Sequence, residues 1–232
     1  MAYFLGVDTG GTYTDAVIVD EAADRVIGKA KSLTTREDLA LGIGRAVDAA
    51  LAGAGVAAAD VALVFDYESA WAWETQPQGR DFDYFRLAFH FYRGLRRLGL
   101  NVDIIPPDTA DLSPWKLVLA PGVACLSDAL KKAIGGHDGL SLLGPRSNAK
   151  TPDFATPVPL PPNLPGLDAV VARVESLPPD VPVPLEAGGN LLHWREKIET
   201  GAEVVERATD GWPVLIRSGG LHYLGGWPED AV

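Results

Sequence analysis

The stretch of this sequence best suited to chemistry lies near its start. Residues 3–20, YFLGVDTGGTYTDAVIVD, place Asp8, Thr9, Gly10, Gly11 and Thr12 between two apolar runs. Two adjacent glycines let backbone N–H groups approach an anion with no Cβ in the way. The hydroxyls of Thr9, Thr12 and Thr14 can donate to a phosphate, and Asp8 or Asp15 can hold Mg²⁺. The same residues also spell a β-hairpin whose Gly-Gly supplies positive φ. The loop lacks the lysine of a P-loop and is not a G-x-G-x-x-G turn.

Other groups are weighed in the same way. Asp66, Glu68 and Glu74 lie close together and could supply the paired carboxylates of glycoside hydrolysis, or could simply hydrogen-bond their own loop. Cys125 follows one apolar run and precedes a helical one, where a nucleophile elbow could sit; the plainer role is a small core residue. Among Trp71, Trp73 and Trp115, the first two suit either a core or an exposed aromatic patch that favours self-association. His90, His137, His193 and His222 are too scattered to suggest metal-ligand spacing.

Composition narrows the classes. The 232 residues are 47% hydrophobic and 22% charged, an ordinary globular balance. A net charge of −11 argues against nucleic acid, and the densest basic run is only Arg93, Arg96 and Arg97 on one amphipathic helix. One cysteine gives no disulfide framework. No secretory signal or spanning apolar stretch is read, so the expectation is a cytoplasmic protein with no membrane partner.

Three strands, 3–8, 13–20 and 25–33, follow one another through links too short for parallel pairing and predict a meander. Thr34 and Thr35, then Glu37 and Asp38, predict a helix start, with the apolar period running over 36–53. From residue 61 the pattern changes. VALVFDY reads as a strand buried on both faces, and a linker with Pro77 and Gly79 follows it. A helix over 81–99, strands at 101–106 and 115–121, a helix at 126–136 and a strand at 139–145 predict a βαβ series with helices on both faces. Eleven of the eighteen prolines fall within 145–187, predicting an extended surface connection with a strand at 168–175. The runs EVVERA, WPVLIRSG and LHYLGGWP predict a terminal antiparallel addition.

GVDTGGTYTDAVIVD, GKAKSLTT and REDLALGI resemble the N-terminus of the hydantoinase A and 5-oxoprolinase family, of the actin-like ATPase superfamily, over about residues 3–64. That resemblance implies a first hairpin whose Asp8–Thr12 turn faces nucleotide phosphates. The second lobe that would close over a nucleotide has no counterpart here. From about Val61 onward, VALVFDYESAWAWETQPQGRDFDYFRLAFHFYRGLRRLGLNVDIIPP, LSPWKLVLAPGVACLSDALKKAI and VLIRSGGLHYLGGWPEDAV resemble the middle domain of family-42 β-galactosidases. That resemblance implies a flavodoxin-like, doubly wound sheet similar to class I glutamine amidotransferases, which mediates trimer formation, while the catalytic carboxylates belong to a preceding barrel. The amidotransferase signature G-x-C-x-G is absent, because Val123 and Ser127 flank Cys125, and His222 is followed by Tyr223 and Leu224 rather than by a His-x-Glu pair. Two families meeting near 59–64 read as a chimera.

The reading is therefore α/β: an N-terminal antiparallel meander plus helix (1–60), joined to a flavodoxin-like doubly wound parallel sheet with a C-terminal antiparallel addition (61–232). A merged core is favoured, in which the helix covers the parallel sheet and the meander pairs at its edge or packs beside it. The expected function is non-catalytic oligomerisation, as trimer or dimer, with no catalytic residues and no metal. Alternatives are a fragment that binds ATP and Mg²⁺, or an anion, through Asp8, Thr9, Gly10, Gly11 and Thr12, and an accessory part of a β-galactosidase.

Overall fold

A computed structural model describes residues 3–35, 39–54, 59–79 and 81–229. The chain divides into two compact units, Met1–Ala58 and Ala59–Val232.

The first unit begins with β1 (Tyr3–Thr9), β2 (Tyr13–Asp20) and β3 (Arg25–Leu33), an antiparallel meander in the order β1-β2-β3. Alternation along β2 buries Thr14, Ala16 and Ile18 on one face, where helix α1 (Leu39–Ala54) lies. The helix buries Gly42, Ala46 and Ala50, one small residue per turn at i, i+4 and i+8. That stripe brings the helix backbone close to the sheet. A Cβ on Gly28 of β3 would collide with the Ala50 carbonyl oxygen and stand 2.7 Å from the Ala54 Cβ. Small residues on both sides thus seat the helix on the meander. Glu37 and Asp38, read as part of the helix start, lie outside the described residues.

The second unit contains β4 (Val61–Val64), α2 (Tyr67–Thr75), α3 (Tyr84–Arg97), β5 (Val102–Ile105), β6 (Leu117–Ala120), α4 (Asp128–Gly135) and β7 (Leu140–Leu143). There follow β8 (Ala169–Ser176), β9 (Val183–Pro184), β10 (Asn190–Thr200), β11 (Glu203–Arg207), β12 (Pro213–Ser218), β13 (Leu221–Leu224) and β14 (Gly226–Pro228). The main sheet runs β11-β12-β13-β7-β6-β4-β5. Its parallel strands, counted along the chain as β4, β5, β6, β7 and β13, stand in the order 2-1-3-4-5, the flavodoxin-like order. All four residues of β4 are buried, and alternation divides them between two layers. Val61 and Leu63 meet Leu95 of α3, while Ala62 and Val64 meet Leu130 and Ile134 of α4. Both faces are therefore covered, as doubly wound topology requires.

Three differences from the sequence reading bear on the site. The segment read as a linker holds α2, started by Asp66. The segment LHYL, read with the antiparallel addition, is β13, which pairs parallel to β7 and antiparallel to β12. A further antiparallel sheet, β14-β10-β8 with β9 beside β10, is built on the long strand β10, which the sequence reading leaves unassigned.

Candidate functional site

An open cleft of about 1230 Å³ lies in the second unit. Its floor is the C-terminal ends of β4, β5 and β6, contributing Phe65–Ser69, Ile104–Asp108 and Ala124–Asp128. The connections leave β4 and β6 in opposite directions there, and such a switch point is where open α/β sheets bind ligands. The other wall comes from the proline-rich connection, through Asn148, Lys150, Thr151, Phe154, Val158 and Asn163.

That connection is held by backbone pairing. The N–H of Asn148 donates to the Val123 carbonyl at 2.9 Å, and that of Lys150 to the Ala124 carbonyl at 2.9 Å. Asn148 Nδ2 donates to the Pro162 carbonyl at 2.9 Å, closing the segment on itself. Before it, Arg146 is buried in a cage of aromatic rings, its guanidinium carbon 4.9 Å from the Trp73 ring centre and 5.6 Å from that of Trp194. Glu196 accepts from the Arg146 backbone N–H at 2.8 Å and from Tyr223 Oη at 2.7 Å.

One carboxylate in the cleft has a structural duty. Asp66 caps α2: its Oδ1 accepts from the Glu68 N–H at 3.1 Å, and its Oδ2 accepts from the Ser69 N–H at 3.1 Å and from Ser69 Oγ at 2.5 Å. Ser69 Oγ in turn accepts from the Ala124 N–H at 2.8 Å, tying the cap to the loop after β6. Glu68 lines the cleft and is exposed, whereas Glu74 is exposed farther along α2 and does not line it. Of the three, Asp66 is engaged in the cap and Glu74 lies off the cleft lining.

Cys125 also lines the cleft, and burial pushes its thiol up, toward the protonated form that is a poor nucleophile. None of the four histidines lines this cleft. His137 bonds Ser141 Oγ at 2.9 Å and the Trp115 carbonyl at 2.8 Å. Among the described residues no cluster of His, Cys, Asp and Glu could hold a metal ion.

The tryptophans divide. Trp73 is core, stacked on Phe82 with ring centres 4.3 Å apart. Trp115 is half-buried and donates its indole N–H to Asp103 Oδ2 at 2.8 Å. Trp71 is 61% exposed on the cleft, with Tyr67, Ile104, Phe154 and Val158 exposed beside it on the lining. Proline-rich chain directly after a parallel strand was the sequence signal for the second wall, because strand C-terminal ends carry the sites of this architecture.

In the first unit, Gly10–Thr12 form the turn of the β1–β2 hairpin, with Asp8 and Thr9 at the end of β1. The Gly10 N–H donates to the Tyr13 carbonyl at 2.9 Å, so one of the two glycine donors serves the turn. Thr34 straps the loop: its N–H donates to the Thr12 carbonyl at 2.9 Å and its Oγ1 to the Gly10 carbonyl at 2.9 Å. The buried Thr14 hydroxyl lies 3.1 Å from Thr34 Oγ1. Asp8 stands directly opposite Asp15 in the ladder, and Lys31 Nζ is 3.4 Å from the Asp15 carboxylate. The loop residues Asp8, Thr9, Gly10, Gly11 and Thr12 are all exposed.

Comparison with known proteins matches the two units separately. Residues 59–232 match the model of the β-galactosidase trimerisation domain, and residues 4–65 match that of the hydantoinase/oxoprolinase N-terminal region. The chain is 43% identical over 188 residues to β-galactosidase BgaA of Thermus sp., covering 78% of this chain and 29% of that protein. It is 42% identical over 191 residues to a β-galactosidase of Thermus thermophilus, with the same coverage. The crystal structure of the β-galactosidase from the psychrophilic Marinomonas ef1 superposes with a TM-score of 0.71 at 34% identity, over 83% of this chain and 30% of that one. The chain thus spans under a third of the length of these relatives.

Proposed function

Since residues 59–232 belong to the β-galactosidase trimerisation-domain family, we propose that this chain is a non-catalytic assembly module whose second unit associates with copies of itself into a trimer. The family match over most of the chain is the observation that carries this reading. The cleft is consistent with it chemically: Asp66 is engaged as the cap of α2, and burial pushes the Cys125 thiol up, away from the thiolate that attacks. Its rim supports it physically, because Tyr67, Trp71, Ile104, Phe154 and Val158 are large apolar side chains exposed around one hollow. Contiguous apolar surface of this kind marks interaction sites, and tryptophan and tyrosine are the residue types that anchor them.

Sedimentation or light scattering tests the reading. Changing Trp71 and Val158 together to serine should lower the mass by a factor of three and leave the far-UV circular dichroism spectrum intact. An unchanged mass would remove the cleft rim from the interface. A chromogenic galactoside should not be turned over by the chain; turnover abolished by Glu68→Gln would contradict the non-catalytic reading.

A further inference from the structure

The two edges of the three-stranded sheet are built differently. Strand β3 carries Arg25, Lys29 and Lys31, and its pairing with β2 slips at Ile18 and Val19. Edge charges, lysine above all, and ladder irregularities are how proteins prevent further strand addition. Strand β1 has neither device. It pairs with β2 in unbroken register, contains no lysine, arginine or proline, and exposes Phe4, Leu5 and Val7 at 56%, 51% and 41%.

Among the described residues, no strand pairs with the outer side of β1. The Gly10 N–H bonds to Tyr13, so the antiparallel alternation turns the N–H and C=O groups of Gly6 and Asp8 toward β2. Those of Leu5, Val7 and Thr9 point outward. The side chains of Leu5 and Val7 stand opposite Ile18 and Ala16, on the face where α1 lies. Helix α1 is seated over β2 and β3 and leaves this part of the face open.

We propose that β1 pairs antiparallel with β1 of a second copy of this chain, about a two-fold axis at Gly6, joining two meanders into one continuous sheet. The sequence of β1 is self-complementary in that arrangement. Leu5 meets Val7 of the other copy twice, each as a hydrogen-bonded pair. The strand's one charge, Asp8, meets Phe4, so no like charges are opposed. The assembly also closes. Once both β1 edges are used, the outer edges of the joined sheet are two β3 strands, each with its lysines. A two-fold contact of this kind ends at two copies and does not propagate into a fibre. This contact lies in the first unit and is independent of the trimer proposed for the second.

Sedimentation equilibrium of the whole chain tests it. Leu5→Lys with Val7→Lys, at positions already exposed, should lower the wild-type mass at least twofold with an unchanged circular dichroism spectrum. Val26→Lys, on the protected edge, should leave the mass unchanged. The mass that remains is the one the second unit sets, three copies or one. A second measurement uses Leu5→Cys with Val7→Cys in a Cys125→Ser background. Hydrogen-bonded antiparallel pairs hold their Cα atoms about 5.5 Å apart, within disulfide range. Oxidation should give a covalent dimer on a denaturing gel, and a Val26→Cys control should not. A mass unmoved by the two lysines, or no dimer above the control, would overturn the proposal.

Discussion

Tyr223 Oη donates to Glu196 Oε2 at 2.7 Å, and both side chains are wholly enclosed by the second unit. The bond joins β13, the last parallel strand, to β10 of the other sheet. Trp194 Nε1 and the Arg146 N–H also donate to the carboxylate, at 3.3 and 2.8 Å. Glu196 thereby fixes the chain that leads into the cleft wall.

Removing one of those donors should be costly. Tyr223→Phe leaves a buried carboxylate short of a partner, a loss of about 1–3 kcal/mol. Burial is the main influence on Glu196, raising its pKa against the opposing pull of its donors and of Arg146. A carboxyl whose folded pKa is raised stabilises the fold below its unfolded pKa and loses that contribution as pH rises through the folded value. Glu196→Gln should therefore flatten the decline in stability from about pH 4.5 upward, as measured by urea titration at several pH values. An unchanged pH profile would contradict the assignment.

Glu175 should behave with the opposite sign. Its hydrogen bond from Lys197, together with Arg195, holds its carboxyl below the usual carboxylate range. Its contribution is present above the unfolded pKa and lost as pH falls through the folded one. Glu175→Gln should destabilise at pH 7 by about 1 kcal/mol, since the carboxylate is only partly buried. The difference from wild type should shrink below about pH 4.5. Equal destabilisation at pH 7 and pH 3 would contradict this.

Gly144, at the end of β7, has a φ of +96° and would place a Cβ against the Leu224 carbonyl oxygen. Gly144→Ala combines a disfavoured backbone with a clash against main chain, so a loss above about 3 kcal/mol is expected. Thermal unfolding checks it, with Gly166→Ala as the contrast: φ is also positive there, but a Cβ meets nothing within 4 Å.

Much of this fold is written locally, and the rest depends on partners distant in sequence. The continuous apolar run at 61–64 predicts a central strand, and β4 is one. The period of 84–97 and the glycine after it predict α3. Helix α2 escaped because its buried residues, Ser69, Ala70, Ala72 and Trp73, form no strong apolar stripe. Asp66 three residues before Ser69 was a capping signal that read more readily as a carboxylate for catalysis. Strand β10 escaped because Arg195, Glu196 and Lys197 look solvated. Their burial rests on Glu175, Asp210, Tyr223 and Arg146, which no local pattern places nearby. The exposed half of the cleft was legible as Trp71, whereas its far wall comes from a proline-rich segment whose path is set by the Val123 and Ala124 carbonyls.

The Asp8–Thr12 loop gives a sharp outcome. With the Gly10 N–H bonded to Tyr13 and Lys31 beside Asp15, calorimetry with ATP and Mg²⁺ is expected to show no saturable heat. Saturable binding that disappears in Asp8→Ala would restore the nucleotide-binding alternative.

The central claim concerns assembly through the second unit, and one measurement addresses it most directly. Light scattering on the Leu5→Lys, Val7→Lys chain removes any contribution of β1 and reads that unit alone. A mass near three times the 24.6 kDa chain is the expected result, and a clean monomer at every concentration would contradict it.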